Sequence, residues 1–146
     1  MIFVAADHRG FAQKKSLLDR LAPYSPTDLG AFSYQPDDDF PIITDLICQK
    51  ILLHHSLGVI FCGSGIGVSI AANKHRGIRA GLCLSPRQAM AGRRDDHINL
   101  LCLSADFSDP DTNYQTVTTF LDTPIASEER FLRRLSQIAD LEKQLP

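Results

Sequence analysis

Six successive residues, Leu57-Gly58-Val59-Ile60-Phe61-Cys62, offer no polar side chain to either face of a strand. A strand that is apolar on both faces fits the centre of a parallel sheet covered by helices on each side. The glycine-rich turn Gly63-Ser64-Gly65-Ile66-Gly67 follows, then a helical pattern from Ile66 to about Lys74, with Gly77 placed to end it. A strand running through a glycine turn into a helix is the repeating unit of an α/β fold.

The same unit recurs along the chain. Ile2 to Ala6 is a short apolar run ending at Asp7-His8-Arg9-Gly10, and a helical pattern through Phe11, Leu17, Leu18 and Leu21 follows, with Lys14 and Lys15 expected on its exposed face. Tyr24 to Leu29 predicts a short strand closed by Gly30, and the acidic run Asp37 to Asp39 reads as solvated loop. Helices are predicted over 42–53, 86–93 and 111–121, and strands over 78–83 and 99–103. A charged helix over about 127–142 closes the chain. The alternation predicts one domain, 1–146, built as a Rossmann-like three-layer α/β/α sandwich around a five-stranded parallel sheet, with the last helix as an arm.

Composition narrows the function classes. The 146 residues are 44% hydrophobic and 22% charged with a net charge of -2, which shows no bias toward nucleic acid or a membrane surface. The apolar runs fall far short of the roughly 20 residues that cross a bilayer, so the expected location is the cytoplasm. Four cysteines occur without a C-x-x-C pair, which argues against zinc and for reduced thiols. Cys48, Cys83 and Cys102 read as small buried hydrophobes, whereas Cys62 ends a strand.

In an open parallel sheet, ligands gather where loops leave the carboxyl ends of the strands. The residues expected there are Asp7, His8, Cys62 and Ser64. Alternating glycines let backbone N–H groups approach a ligand, and the start of the following helix suits phosphate or a developing oxyanion. These features also lower a thiol's pKa. The loop has neither the lysine of a Walker motif nor a glycine at the sixth position of the dinucleotide fingerprint, so nucleotide binding is disfavoured. Asp7 can also cap the helix that begins near Gly10. Arg130 and Arg134, four apart on one helix face, can grip one anion.

Taken together, VIFCGSGIGVSIAANK, the following GIRAGLC and the opening AADHRGFAQKKSLLDRL resemble the family of type B ribose-5-phosphate isomerases and galactose-6-phosphate isomerase subunits. The resemblance implies a cofactor-free, metal-free enzyme that interconverts ribose 5-phosphate and ribulose 5-phosphate as a homodimer with shared active sites. It implies Cys62 as the base that forms a cis-enediolate, with Gly63, Ser64, Gly65, Ile66 and Gly67 holding the negative oxygen. Asp7 would hold sugar hydroxyls, and His8, Arg130 and Arg134 the phosphate. Where the family has a ring-opening histidine and a sugar-contacting asparagine, this chain has Asp95 and Asp96, and Asp106 stands where a phosphate-binding arginine is common. His97 or Asp95 is then the candidate for ring opening. An isomerase of a six-carbon sugar phosphate and a non-catalytic sugar-phosphate-binding homologue or partner subunit are the alternatives.

Overall fold

The computed structural model describes residues 1–144; the last two residues of the expected 1–146 domain lie outside the described residues. Five strands, β1 (Ile2–Ala6), β2 (Pro26–Asp28), β3 (Leu57–Cys62), β4 (Ala80–Leu82) and β5 (Leu100–Ser104), form one wholly parallel sheet in the order β2-β1-β3-β5-β4. Between and after them run α1 (Phe11–Leu18), α2 (Phe40–His54), α3 (Ile66–Ala72), α4 (Pro86–Asp96), α5 (Pro110–Asp122) and α6 (Glu129–Gln144), with a 3-10 turn over Asp19–Tyr24.

The alternation of side chains along the central strands divides the core in two. Val4 and Ala6, Val59 and Phe61, and Leu101 and Leu103 face Leu17, Leu21, Ala89, Val117 and Phe120. Their neighbours Phe3, Ala5, Ile60, Cys62, Leu100 and Cys102 face Ile47, Cys48, Ile51, Val68 and Ala72. A helix layer on each face is what strands apolar on both sides require. All four cysteines are buried free thiols, so Cys48, Cys83 and Cys102 are core residues as expected. No helix among the described residues is long and apolar enough to cross a membrane.

Several local expectations need correction. Lys14 is buried, at 2% exposure: its ammonium donates to Asp28 Oδ1 at 2.5 Å and to the Ala31 carbonyl at 2.9 Å, and lies 5.5 Å from the Phe32 ring centre. The apolar stem of lysine allows burial when its charge is paired. The strand expected over 78–83 narrows to Ala80–Leu82 because side chains take up the backbone at its entrance. Asn99 Oδ1 accepts the Arg79 N–H, and Asn73 bonds both the N–H and the carbonyl of Ala80. The helix after the glycine loop ends at Ala72 with Asn73 as its cap, and Gly77, at φ 83°, turns the chain farther on. Helix α4 runs past Arg93 to Asp96, so Asp95 and Asp96 belong to its last turn and His97 closes it in the left-handed conformation, φ 50°.

Gly10, where the chain enters α1, lies flat against β3. A Cβ there would overlap the carbonyl group of Phe61 and stand 2.7 Å from the Cys62 nitrogen. Both obstacles are backbone and cannot rotate away, so Gly10→Ala should lower the unfolding free energy by about 2 kcal/mol or more. A urea midpoint unchanged from the native protein would contradict this packing.

Candidate active site

The sheet order places β1 between β2 and β3, so the chain leaves β1 toward one edge and β3 toward the other, and a crevice opens at their carboxyl ends. The register pairs Ala6 with Phe61, which brings the next residues, Asp7 and Cys62, side by side. Asp7 is 2% exposed, with its N–H bonded to the Phe61 carbonyl at 3.1 Å and its Oδ1 accepting the Gly10 N–H at 2.8 Å. Asp7 thus closes the turn before α1, whose N-cap is Gly10 and has no side-chain cap hydrogen bond, so the capping expected of Asp7 is not realised. Its carboxylate also faces the Cys62 thiol.

Cys62 is held from the β5 side. Its carbonyl accepts the Ala105 N–H at 2.8 Å, and the Gly63 carbonyl accepts the Asp106 N–H at 3.1 Å and the Ser104 hydroxyl at 2.6 Å. Gly65 turns the loop at φ 76°, a conformation that suits glycine, and the Ser64 hydroxyl accepts the Ile66 N–H at 3.2 Å. Burial pushes the Cys62 thiol up to about 11; the facing Asp7 carboxylate adds to this, while the N–H groups of Gly65 and Gly63 pull the other way. The depression expected from the glycine loop is therefore outweighed. The sulfur thus carries its proton at neutral pH.

His8 and Arg9 follow Asp7 on the same turn. His8 Nδ1 bonds Asp38 Oδ1 at 2.5 Å, and its ring stands edge-on to Tyr34 with centres 6.2 Å apart. Asp38 is therefore a partner of His8 and not solvated loop. Arg9 Nη2 is bonded to Asp106. Its side chain lies against Gly63, where a Cβ would be 2.6 Å from the Arg9 Cζ. Asp106, placed by sequence where its charge would repel phosphate, is thus paired with a guanidinium. Arg9 was visible within the Asp-His-Arg-Gly turn. Asp38 had no local signal, being thirty positions from its partner.

The remaining candidates gather elsewhere in the chain. Helix α4 leaves the carboxyl end of β4 and returns to the start of β5, so Asp95, Asp96 and His97 sit at the amino ends of the strands, with the sheet between them and Cys62. The Arg94 hydrogen bond holds the Asp95 carboxyl below its usual range, with the charges of Arg94, Arg130 and Arg134 reinforcing it. Asp96 is exposed and its carbonyl accepts from Arg79, while His97 Nε2 bonds the Ala126 carbonyl at 2.8 Å. Arg130 and Arg134 are exposed on α6. Within one chain, Cys62, Asp7, His8 and the glycine loop form one cluster, and Asp95, Arg130 and Arg134 form another. No group of three or more His, Cys, Asp or Glu able to hold a metal ion occurs among the described residues.

Comparison with known proteins places the chain in a family. The model of the Ribose/Galactose Isomerase family matches residues 2–138. The chain belongs to that family. A probable ribose-5-phosphate isomerase B from Mycoplasma genitalium is 35% identical over 147 residues, covering 98% of this chain and 96% of the relative. The crystal structure of ribose-5-phosphate isomerase B from Mycoplasma genitalium with bound ribulose-5-phosphate superimposes with a TM-score of 0.92 at 34% identity, covering 99% of this chain and 97% of that one. A D-erythrulose-4-phosphate isomerase from Pectobacterium atrosepticum is 30% identical over 127 residues, 83% of this chain and 82% of the relative. The protein is an isomerase enzyme of the Ribose/Galactose Isomerase family.

The raised thiol makes a direct prediction. Alkylation of Cys62 by iodoacetamide, followed by peptide mass spectrometry, should climb only toward a pH of about 11. Asp7→Asn removes the facing negative charge and should move that climb to lower pH. An unmoved profile would contradict the pairing of Asp7 with the thiol.

Proposed function

We propose that the protein interconverts ribose 5-phosphate and ribulose 5-phosphate through a cis-enediolate, with Cys62 as the base. The observation that carries this reading is a buried thiol facing the Asp7 carboxylate under the glycine loop, in the crevice between β1 and β3. The thiol lies within hydrogen-bonding reach of the carboxylate. Transfer of the thiol proton to Asp7 removes the carboxylate charge that adds to the effect of burial, and leaves the sulfur as the thiolate base. The sulfur takes the hydrogen from C2, the C2 hydroxyl proton moves to O1, and the sulfur returns its proton to C1. N–H groups of Gly63 to Gly67 and the Ser64 hydroxyl stabilise the developing charge on oxygen. His8, with Nδ1 committed to Asp38, presents Nε2 to the phosphate.

The second cluster reaches this crevice from another copy of the chain. Ile66 and Ile70 on α3 and Leu132, Ile138 and Leu141 on α6 are exposed apolar residues, and α6 has Phe131 as its buried residue. A homodimer covers such faces and brings Arg130 and Arg134 to the phosphate. His97 arrives with them as the ring-opening group, since Asp95 is held ionised by Arg94. Cytoplasmic pentose phosphate metabolism is the setting of this reaction.

A second reading has one observation in its favour. Among the described residues, His8 is the histidine at the carboxyl ends of the strands, and it is bound to Asp38. A four-carbon 4-phosphate, the substrate type named for the Pectobacterium relative, cannot close a furanose ring because the needed oxygen carries the phosphate, so it requires no ring-opening acid.

Initial isomerisation rates on tetrose 4-phosphate, pentose 5-phosphate and hexose 6-phosphate test the readings together. Ribose 5-phosphate should be fastest, and Cys62→Ala should lower the rate by about 10²–10⁴-fold. Fastest turnover of the tetrose or the hexose would move the assignment to that substrate, and binding without turnover of any would leave a non-catalytic homologue. Mixing inactive Cys62→Ala and Arg134→Ala proteins should restore about one quarter of the native activity, because a mixed dimer contains one intact shared site. No recovery after subunit exchange would contradict shared sites.

A further inference from the structure

We propose that Arg9 is a contact for the substrate's phosphate, aimed over the glycine loop by Asp106; this rests on reading the crevice as a sugar-phosphate site. Arg9 lies two residues after Asp7, and its side chain crosses Gly63, the residue next to the thiol. One edge of the guanidinium, through Nη2, is occupied by Asp106, while the side chain is 56% exposed and carries further N–H donors. Asp106 is itself fixed by the bond from its N–H to the Gly63 carbonyl, so the cation and the loop beneath it share one anchor.

The turn after β1 repeats this device. His8 is held by Asp38 from the loop before α2, and Arg9 by Asp106 from the loop after β5. Two consecutive basic side chains are thus each oriented by one carboxylate from a different loop, immediately after the residue that faces the thiol. A purely structural strut explains the arrangement poorly. The loops after β3 and β5 are already joined by the Ala105, Asp106 and Ser104 hydrogen bonds to Cys62 and Gly63, and an exposed ion pair adds little to them. A guanidinium with free N–H groups beside a crevice is suited to a phosphate dianion, which it meets through charge-assisted hydrogen bonds. The negative charge of Asp106 moderates that attraction.

Calorimetric titration of the intact protein with inorganic phosphate, alongside KM and kcat for ribose 5-phosphate, separates the roles. Arg9→Met should weaken phosphate by at least about tenfold and raise KM in step, with kcat changed by less than about threefold. Asp106→Asn should tighten phosphate, because asparagine still accepts the Arg9 hydrogen bond but brings no negative charge. The proposal is overturned by a native protein that does not bind phosphate, by an Arg9→Met dissociation constant within about threefold of native, or by equal weakening in both variants, the signature of a strut. Phosphate binding without ribose 5-phosphate turnover would instead count against ribose 5-phosphate as the substrate, and the two variants would still decide the role of Arg9.

Discussion

The parallel pairing of β1 with β3 is the constraint on which the rest depends. Ile2 to Ala6 lie opposite Leu57 to Phe61, both strands are buried along almost their whole length, and the helices on either face keep water from the ladder. Shifting this register by one residue would exchange the two core faces and would part Asp7 from Cys62. Gly10 adds a second lock, because the start of α1 closes onto the Phe61–Cys62 peptide at a distance that admits no Cβ. The geometry at the thiol is therefore a product of core packing and not of the glycine loop alone.

What collects around that pair is a set of basic side chains held in place by aspartates. His8 is tied to Asp38, Arg9 to Asp106, and Lys14 to Asp28, the aspartates coming from the loop before α2, the loop after β5 and the end of β2. Lys14 also bonds Ala31 and lies near Phe32, so a buried cation anchors the stretch that leads toward Tyr34 and Asp38 beside His8. For Cys62 the balance of effects differs from what a glycine-rich loop suggests. Desolvation and a neighbouring carboxylate raise the thiol, and N–H donors offset only part of this. A base that rests in protonated form must be activated within the site, which gives Asp7 its part in the proposed chemistry.

Much of this was legible in the sequence because it rests on local pattern. The doubly apolar strand Leu57–Cys62, the turn at Asp7 to Gly10 and the alternation of strands and helices lead directly to the sheet and to the crevice at its carboxyl ends. Burial of Lys14 was hidden because its partner Asp28 lies on another element and a lysine in an amphipathic pattern reads as solvent-facing. The bond from Asp38 to His8 and the pairing of Arg9 with Asp106 span thirty and ninety-seven positions, and nothing in the periodicity of either segment encodes them. The division of the expected site residues into two clusters was also hidden. It follows from the direction of α4, which carries Asp95 and Asp96 to the amino ends of the strands, and was not visible from their spacing.

The most direct test of the Cys62–Asp7 centre is proton exchange at the substrate carbon. In deuterium oxide, ribose 5-phosphate incubated with the native protein should lose its C2 proton signal by NMR as deuterium is delivered back through the enediolate, and Cys62→Ala should leave that signal intact over the same period. Exchange at the native rate in Cys62→Ala would show that another group takes the proton and would contradict the role of the thiol.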